Sequence, residues 1–137
     1  MKIMNTTPRH RIIADERGQT ATEFALVLPI FCLVLFGIIQ FGILFNDYLS
    51  LTDATRVGAR KGAVSRTAPS PAAVTEAAVR NAASDLSPGS LDVDVIATSW
   101  TAGGELTVEA TYPYDVNVFG VVVASGLLKS SITERIE

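Results

Sequence analysis

Glu16-Arg17-Gly18-Gln19-Thr20-Ala21-Thr22-Glu23, followed by an uncharged apolar run over residues 24–45, decides how this chain is read. The run is 22 residues long and is interrupted only by Pro29, Gln40, Gly37 and Gly42. A helix rises about 1.5 Å per residue, so a run of this length covers the roughly 30 Å hydrocarbon core of a bilayer. The rest of the 137 residues is too small to enclose such a helix in a soluble core. A cleaved secretory signal fits badly, because its apolar core would be about 7–15 residues with a small-residue cleavage site behind it. Here Asn46-Asp47-Tyr48-Leu49 follows the run. The expectation is a single transmembrane segment at 24–45.

Charge orders the two sides. Arg9, Arg11 and Arg17 lie before the run, and Arg56, Arg60 and Lys61 lie after it. Arg17 is nearer its membrane edge than Arg56 is, and the first charges after the run are Asp47 and Asp53. Basic residues stay on the cytoplasmic side, which places the N-terminus in the cytoplasm and the body outside. Residues 1–18 set four basic side chains against Asp15 and Glu16, a net of +2, which leaves −5 of the formal −3 to the remainder. An acidic body argues against a nucleic-acid partner. The lone cysteine, Cys32, lies inside the apolar run, so no intramolecular disulfide can form.

Working outward, residues 1–18 read as a short basic leader and residues 19–66 as one long helix. Past the membrane, Tyr48, Leu51, Thr55, Val57 or Gly58, and Val64 give a loose apolar stripe, opposite the polar Arg56, Arg60 and Lys61. Gly58 and Gly62 each weaken a helix by about 1 kcal/mol relative to alanine, so fraying or bending is expected there. Their four-residue spacing falls beyond the span and reads as local packing. Residues 67–137 are expected to form a small α+β head. Ser70 and Pro71 suit the N-cap and first turn of a second helix with Val74, Ala78, Ala82 and Leu86 on one face, stopped by Ser87-Pro88-Gly89.

Then the period changes to two. Leu91, Val93, Val95 and Ala97 alternate with Asp92, Asp94, Ile96 and Thr98. After Thr101-Ala102-Gly103-Gly104, the inward set is Leu106, Val108, Ala110 and Tyr112. This is a β-hairpin with one buried face, and Pro113 is expected to end its second strand. A third strand is expected at about 127–136 with Leu128, Ile132 and Ile136 inward. The apolar residues 118–128 are too short to span a membrane as a helix. They read as core or a covering loop, with a subunit or membrane-surface contact as the sharper alternative.

Glu23 is the residue that demands a reason. A carboxylate at bilayer centre costs roughly 2.5–3.5 kcal/mol, and ionisable residues near that depth are functional candidates with a partner. Cleavage after Gly18 would supply one, a new α-amine on Gln19, and pairing of that amine with Glu23 of a neighbouring helix would fix axial register. The plainer reading is a helix-end charge, favoured at an N-terminus by about 0.3–1 kcal/mol. Pro29 removes one backbone donor and is either a functional kink or a proline tolerated near the first turns. Arg56, Arg60 and Lys61 are either a contact for lipid phosphates and acidic neighbours or a solvated face. Asp92 and Asp94 read as solvent-facing, since a calcium loop with its glycine is missing. The single histidine, His10, sits in the leader, and no phosphate loop or serine-hydrolase elbow occurs in the sequence. No enzyme activity, cofactor or small-molecule substrate is expected.

Gly18-Gln19-Thr20-Ala21-Thr22-Glu23-Phe24-Ala25-Leu26-Val27-Leu28-Pro29, then Phe36-Gly37-Ile38-Ile39-Gln40-Phe41-Gly42, then Leu51-Thr52-Asp53-Ala54-Thr55-Arg56-Val57-Gly58-Ala59-Arg60, resemble the TadE-like family. These are membrane-anchored minor pilins or pseudopilins of tight-adherence (Tad/Flp) pilus systems. The resemblance covers about residues 16–62. It implies a role in pilus biogenesis, with a prepilin peptidase and other pilin and pilus-assembly subunits as partners. It also implies Gly18 as the cleavage position, Gln19 as the new N-terminus and Glu23 as the pilin glutamate. Two other readings stand beside it. One is an uncleaved single-span scaffold of the pilus or secretion apparatus; the other is a membrane-anchored binding module.

Overall fold

The computed structural model describes residues 16–118 and 120–137. Lys2, Arg9, His10, Arg11 and the rest of the leader up to residue 15 lie outside the described residues. Helix α1 runs over Glu16–Ala63, α2 over Pro71–Ala82, and strands β1 (Asp92–Ala97), β2 (Glu105–Val118) and β3 (Val121–Arg135) follow. The strands form one antiparallel sheet in the order β1-β2-β3. This is the expected α+β class: a long apolar helix, a second helix and a three-stranded sheet. The chain divides into two compact units between Leu35 and Phe36.

In the first unit, α1 is apolar on every side. Phe24, Leu26, Val27, Ile30 and Phe31 are all exposed. Burying an apolar stripe against protein is what normally sustains a helix in water, and here no stripe is covered. A helix long and apolar enough to cross a membrane is therefore present. It runs unbroken across Pro29.

The second unit holds the rest of α1 together with α2 and the sheet. Its core is Leu51, Ala54 and Ala59 of α1, Val79 of α2, Ala83, Leu86 and Leu91 from the connection, Val93 of β1, Leu106, Val108 and Ala110 of β2, and Ile136. One sheet face is buried under helices. The other presents polar cross-strand partners, including a Thr107 to Thr133 hydroxyl bond at 2.9 Å. The period-two reading of β1 and β2 holds residue by residue up to Tyr112.

Five expectations need correction. First, α1 takes in Glu16, Arg17 and Gly18 of the expected leader and ends at Ala63, not 66. It does not break at its glycines. Second, the buried stripe past the run is Leu51, Ala54, Thr55, Gly58, Ala59, Gly62 and Ala63, whereas Tyr48, Val57 and Val64 are exposed. The stripe is small because α2 lies close against it. A Cβ on Gly58 would overlap Cγ2 of Val79, and one on Gly62 would overlap Cδ2 of Leu106 and Oγ1 of Thr75.

Third, the buried face of α2 is set one residue along: Thr75 and Val79, then Ala83 beyond its end, with Ala82 exposed. Thr75 can be buried because its hydroxyl donates to the Pro71 carbonyl at 2.8 Å. Ser70 does occupy the N-cap, but its side chain makes no capping bond. Fourth, β2 continues through Pro113, which pairs with Leu127 of β3. The last β1 partner is Asp92 opposite Thr111, so Pro113 lies where β2 has a free edge and tolerates a missing N–H. Fifth, Leu128 packs against the core, but Val118 and residues 120–127 are neither core nor covering loop. They form the far end of a β2–β3 arm that extends past β1, with Val121, Val122, Val123 and Leu127 exposed.

Candidate functional site

The residues singled out from the sequence fall into separate places. At the start of α1, Gly18, Gln19 and Glu23 lie on consecutive turns of exposed helix. The Gln19 amide Nε2 donates to Glu23 Oε1 at 3.0 Å, and the Thr22 hydroxyl donates to the Gly18 carbonyl at 2.9 Å. A four-residue separation puts these groups on one helix face. Glu23 is thus presented outward with an amide beside it, able to accept a further donor from another chain. Replacing the peptide bond before Gln19 by a free amine would add a positive charge one turn from that carboxylate. Pro29 lies farther along the same unit, within the continuous helix.

Arg56, Arg60 and Lys61 are in the second unit, on the exposed side of α1 opposite the small-residue stripe. Arg56 pairs with Asp53 at 3.6 Å, both largely exposed, an arrangement that contributes little to stability. Arg56 and Arg60 line an open cleft with Glu134, Arg135 and Glu137. The basic face therefore meets both signs of charge from the sheet end. Asp92 and Asp94 point to the exposed face of β1. Among the described residues no cluster of histidine, cysteine and carboxylate side chains could hold a metal ion.

The local packing read from the spacing of Gly58 and Gly62 is the surface on which the head is packed. Sequence reasoning missed the partner of Gln40. This glutamine is the one polar side chain of the apolar run and donates from Nε2 to the Asn117 carbonyl at 2.8 Å. Beside that bond, Ile43, Leu44 and Asp47 face residues 112–116 across a small cleft. A lone glutamine in a membrane-length run was a signal that it has a partner.

No curated protein and no solved structure matches the chain. A family model does match, over the exposed helix, Glu23, the apolar run and the first turns of the small-residue stripe. Residues 18–60 match the model of the TadE-like protein family, the family whose resemblance the sequence carries, and the matched segment includes most of the helix that is long and apolar enough to cross a membrane.

Proposed function

We propose that the protein is a minor pilin or pseudopilin-like subunit for assembly of a Tad/Flp-type pilus. It is anchored through residues 24–45 with its N-terminus in the cytoplasm and its head outside. The observation that carries this reading is the coincidence of the family match with the one segment of α1 that is apolar on every side and opens with an outward-facing glutamate. The apolar run holds the subunit in the bilayer. A prepilin peptidase removes the leader after Gly18. The freed helix then packs among other pilin subunits, with Glu23 accepting from the amine of a neighbouring Gln19 and fixing axial register. Low dielectric strengthens that contact and penalises a slipped register. The role is structural and not enzymatic.

An uncleaved scaffold is the second reading, and one observation favours it. Helix α1 begins at Glu16, so the peptide bond between Gly18 and Gln19 sits within the helix, with the Gly18 carbonyl bonded by Thr22. A peptidase acting there must first unwind the turn. Intact mass of the protein from cells with and without a prepilin peptidase separates the two. Loss of residues 1–18, abolished by Gly18→Leu, supports the processed subunit. An unchanged full-length mass in cells that assemble the pilus overturns it in favour of the scaffold.

A further inference from the structure

We infer that the far end of the β2–β3 arm, Val116 to Val118 on β2 with Val121 to Ala124 on β3, enters the lipid of the leaflet on the head side, making a second membrane contact beside the helical anchor. The inference rests on residues 24–45 spanning the bilayer, and begins from depth. Gln40 lies five residues before Phe45, the end of the apolar run, which is about 7.5 Å along a helix. Its side chain bonds the Asn117 carbonyl, so the arm reaches at least that far alongside the run. The strand ends one residue farther on, at Val118, about 3.3 Å deeper, and the turn at Gly120, with a φ of +84°, lies beyond it.

The chemistry changes at the same level on both elements. Asp47 is the first charge after the apolar run, and Asp115 is the last charge before the arm becomes uncharged; both line one cleft. From residue 116 to residue 128 the arm carries no charge until Lys129. Its apolar side chains face outward: Val121, Val122, Val123 and Leu127 are 64%, 53%, 60% and 59% exposed. A cluster of this kind on a strand end is normally covered. Tyr48 on the helix and Tyr112 and Tyr114 on the arm flank the boundary, the side chain suited to the headgroup level.

The backbone is prepared for a drier medium. β2 and β3 pair as far as Val118 opposite Val121, and the Gln40 amide supplies a donor to Asn117. A register irregularity between Val116 and Asn117 redirects the last residues of the arm. Unsatisfied strand edges confine such a hairpin to the headgroup and upper acyl region, where water remains.

The full chain is reconstituted in vesicles of phosphatidylcholine and phosphatidylglycerol, with an environment-sensitive fluorophore on one cysteine at a time. The native Cys32 reports the anchor. In a Cys32→Ser background, Val122→Cys and, separately, Val123→Cys report the arm, and Ser99→Cys reports the other end of the sheet. Quenching by lipids spin-labelled near the headgroup is compared with quenching by lipids labelled near the acyl-chain end. The expected result is blue-shifted emission from both arm positions, cut to roughly half by the shallow quencher and less by the deep one, with Ser99→Cys unaffected. Cys32 is expected to respond most to the deep quencher. Arm labels that are water-like, or blue-shifted but unquenched because another copy covers them, overturn the inference while a quenched Cys32 keeps the anchor. An unquenched Cys32 overturns the anchor itself.

Discussion

Replacing Gly58 by alanine puts the packing of α2 on α1 to a direct test. In an uncrowded helix interior the substitution stabilises by about 1 kcal/mol. Here the added methyl would overlap Cγ2 of Val79 and lie 3.3 Å from its Cβ and 3.4 Å from the Thr75 carbonyl oxygen. Val79 cannot swing away easily. It is fully buried, and a β-branched side chain in a helix has one strongly preferred rotamer. Overpacking of this kind costs about 1–3 kcal/mol, and the overlap puts it at the upper end, so the net change is a loss of about 1–2 kcal/mol. For a head of this size that lowers the melting temperature by about 5–15 °C. Trp100, the single tryptophan, packs partly buried against the core, so its fluorescence and near-ultraviolet dichroism in mild detergent report the head. Gly42→Ala, where the added methyl meets open space, is the control and should not lower the melting temperature. Val79→Ala alone should cost about 2 kcal/mol, and the double variant should exceed the sum of the two in stability by at least about 1 kcal/mol. A Gly58→Ala protein that melts at or above the parent, with no coupling to Val79, would refute the close approach.

Arg80 bonds Glu76 at 2.9 Å and the Leu91 carbonyl at 2.9 Å, tying α2 to the chain entering β1. Arg80→Met should lower head stability by about 1 kcal/mol, read from the urea midpoint. Tyr114 lies over Gly126, its ring atoms 2.9–3.1 Å from where a Cβ would stand. Gly126→Val should displace that ring and raise amide hydrogen exchange along residues 121–128 while leaving the Trp100 transition in place. Glu23→Gln touches only an exposed helix face, so head stability should stay within about 0.5 kcal/mol of the parent. Recovery of the variant in sheared filaments should fall about tenfold, the effect of losing one charge-assisted contact of about 1.5 kcal/mol.

How much could be read in advance depended on which solvent each residue meets. The run at 24–45 is legible because lipid asks the same thing of every side of a helix, and only length and lack of charge are needed to see it. The alternation from Leu91 to Tyr112 is legible because a sheet with one covered face writes that face into every second residue. The buried face of α2 was read one position off because Thr75, a polar residue, is buried and Ala82, an apolar one, is not. Its hydroxyl is satisfied within its own helix, which no periodicity count can register. The arm was missed for a related reason. Its valines are apolar without being core, and their pattern alone does not say whether protein or lipid is to cover them. Gly58 and Gly62 looked like weak points because propensity assigns a cost to glycine without seeing the neighbour that fills the missing volume. At the candidate site, Gly18, Gln19 and Glu23 were visible from their place before the run. The Gln40 bond to Asn117 joins residues 77 positions apart and needed the fold.

The family match ends at residue 60, and that limit has a physical counterpart. The matched segment holds Gly18, Gln19 and Glu23, the apolar run, and most of the small stripe of Leu51, Ala54, Thr55, Gly58 and Ala59. It therefore includes the surface on which a head is assembled, but none of the sheet assembled there. The stripe constrains α2 tightly, since only a short approach fits against Gly58 and Gly62. It constrains the sheet less, requiring only an apolar face such as Leu106, Val108 and Ala110 to close the core. The outer face of the sheet and the β2–β3 arm are then free of the packing problem. Any chemistry particular to this chain belongs on them. The exposed valines at 121–123 are the largest departure from an ordinary polar surface that they contain.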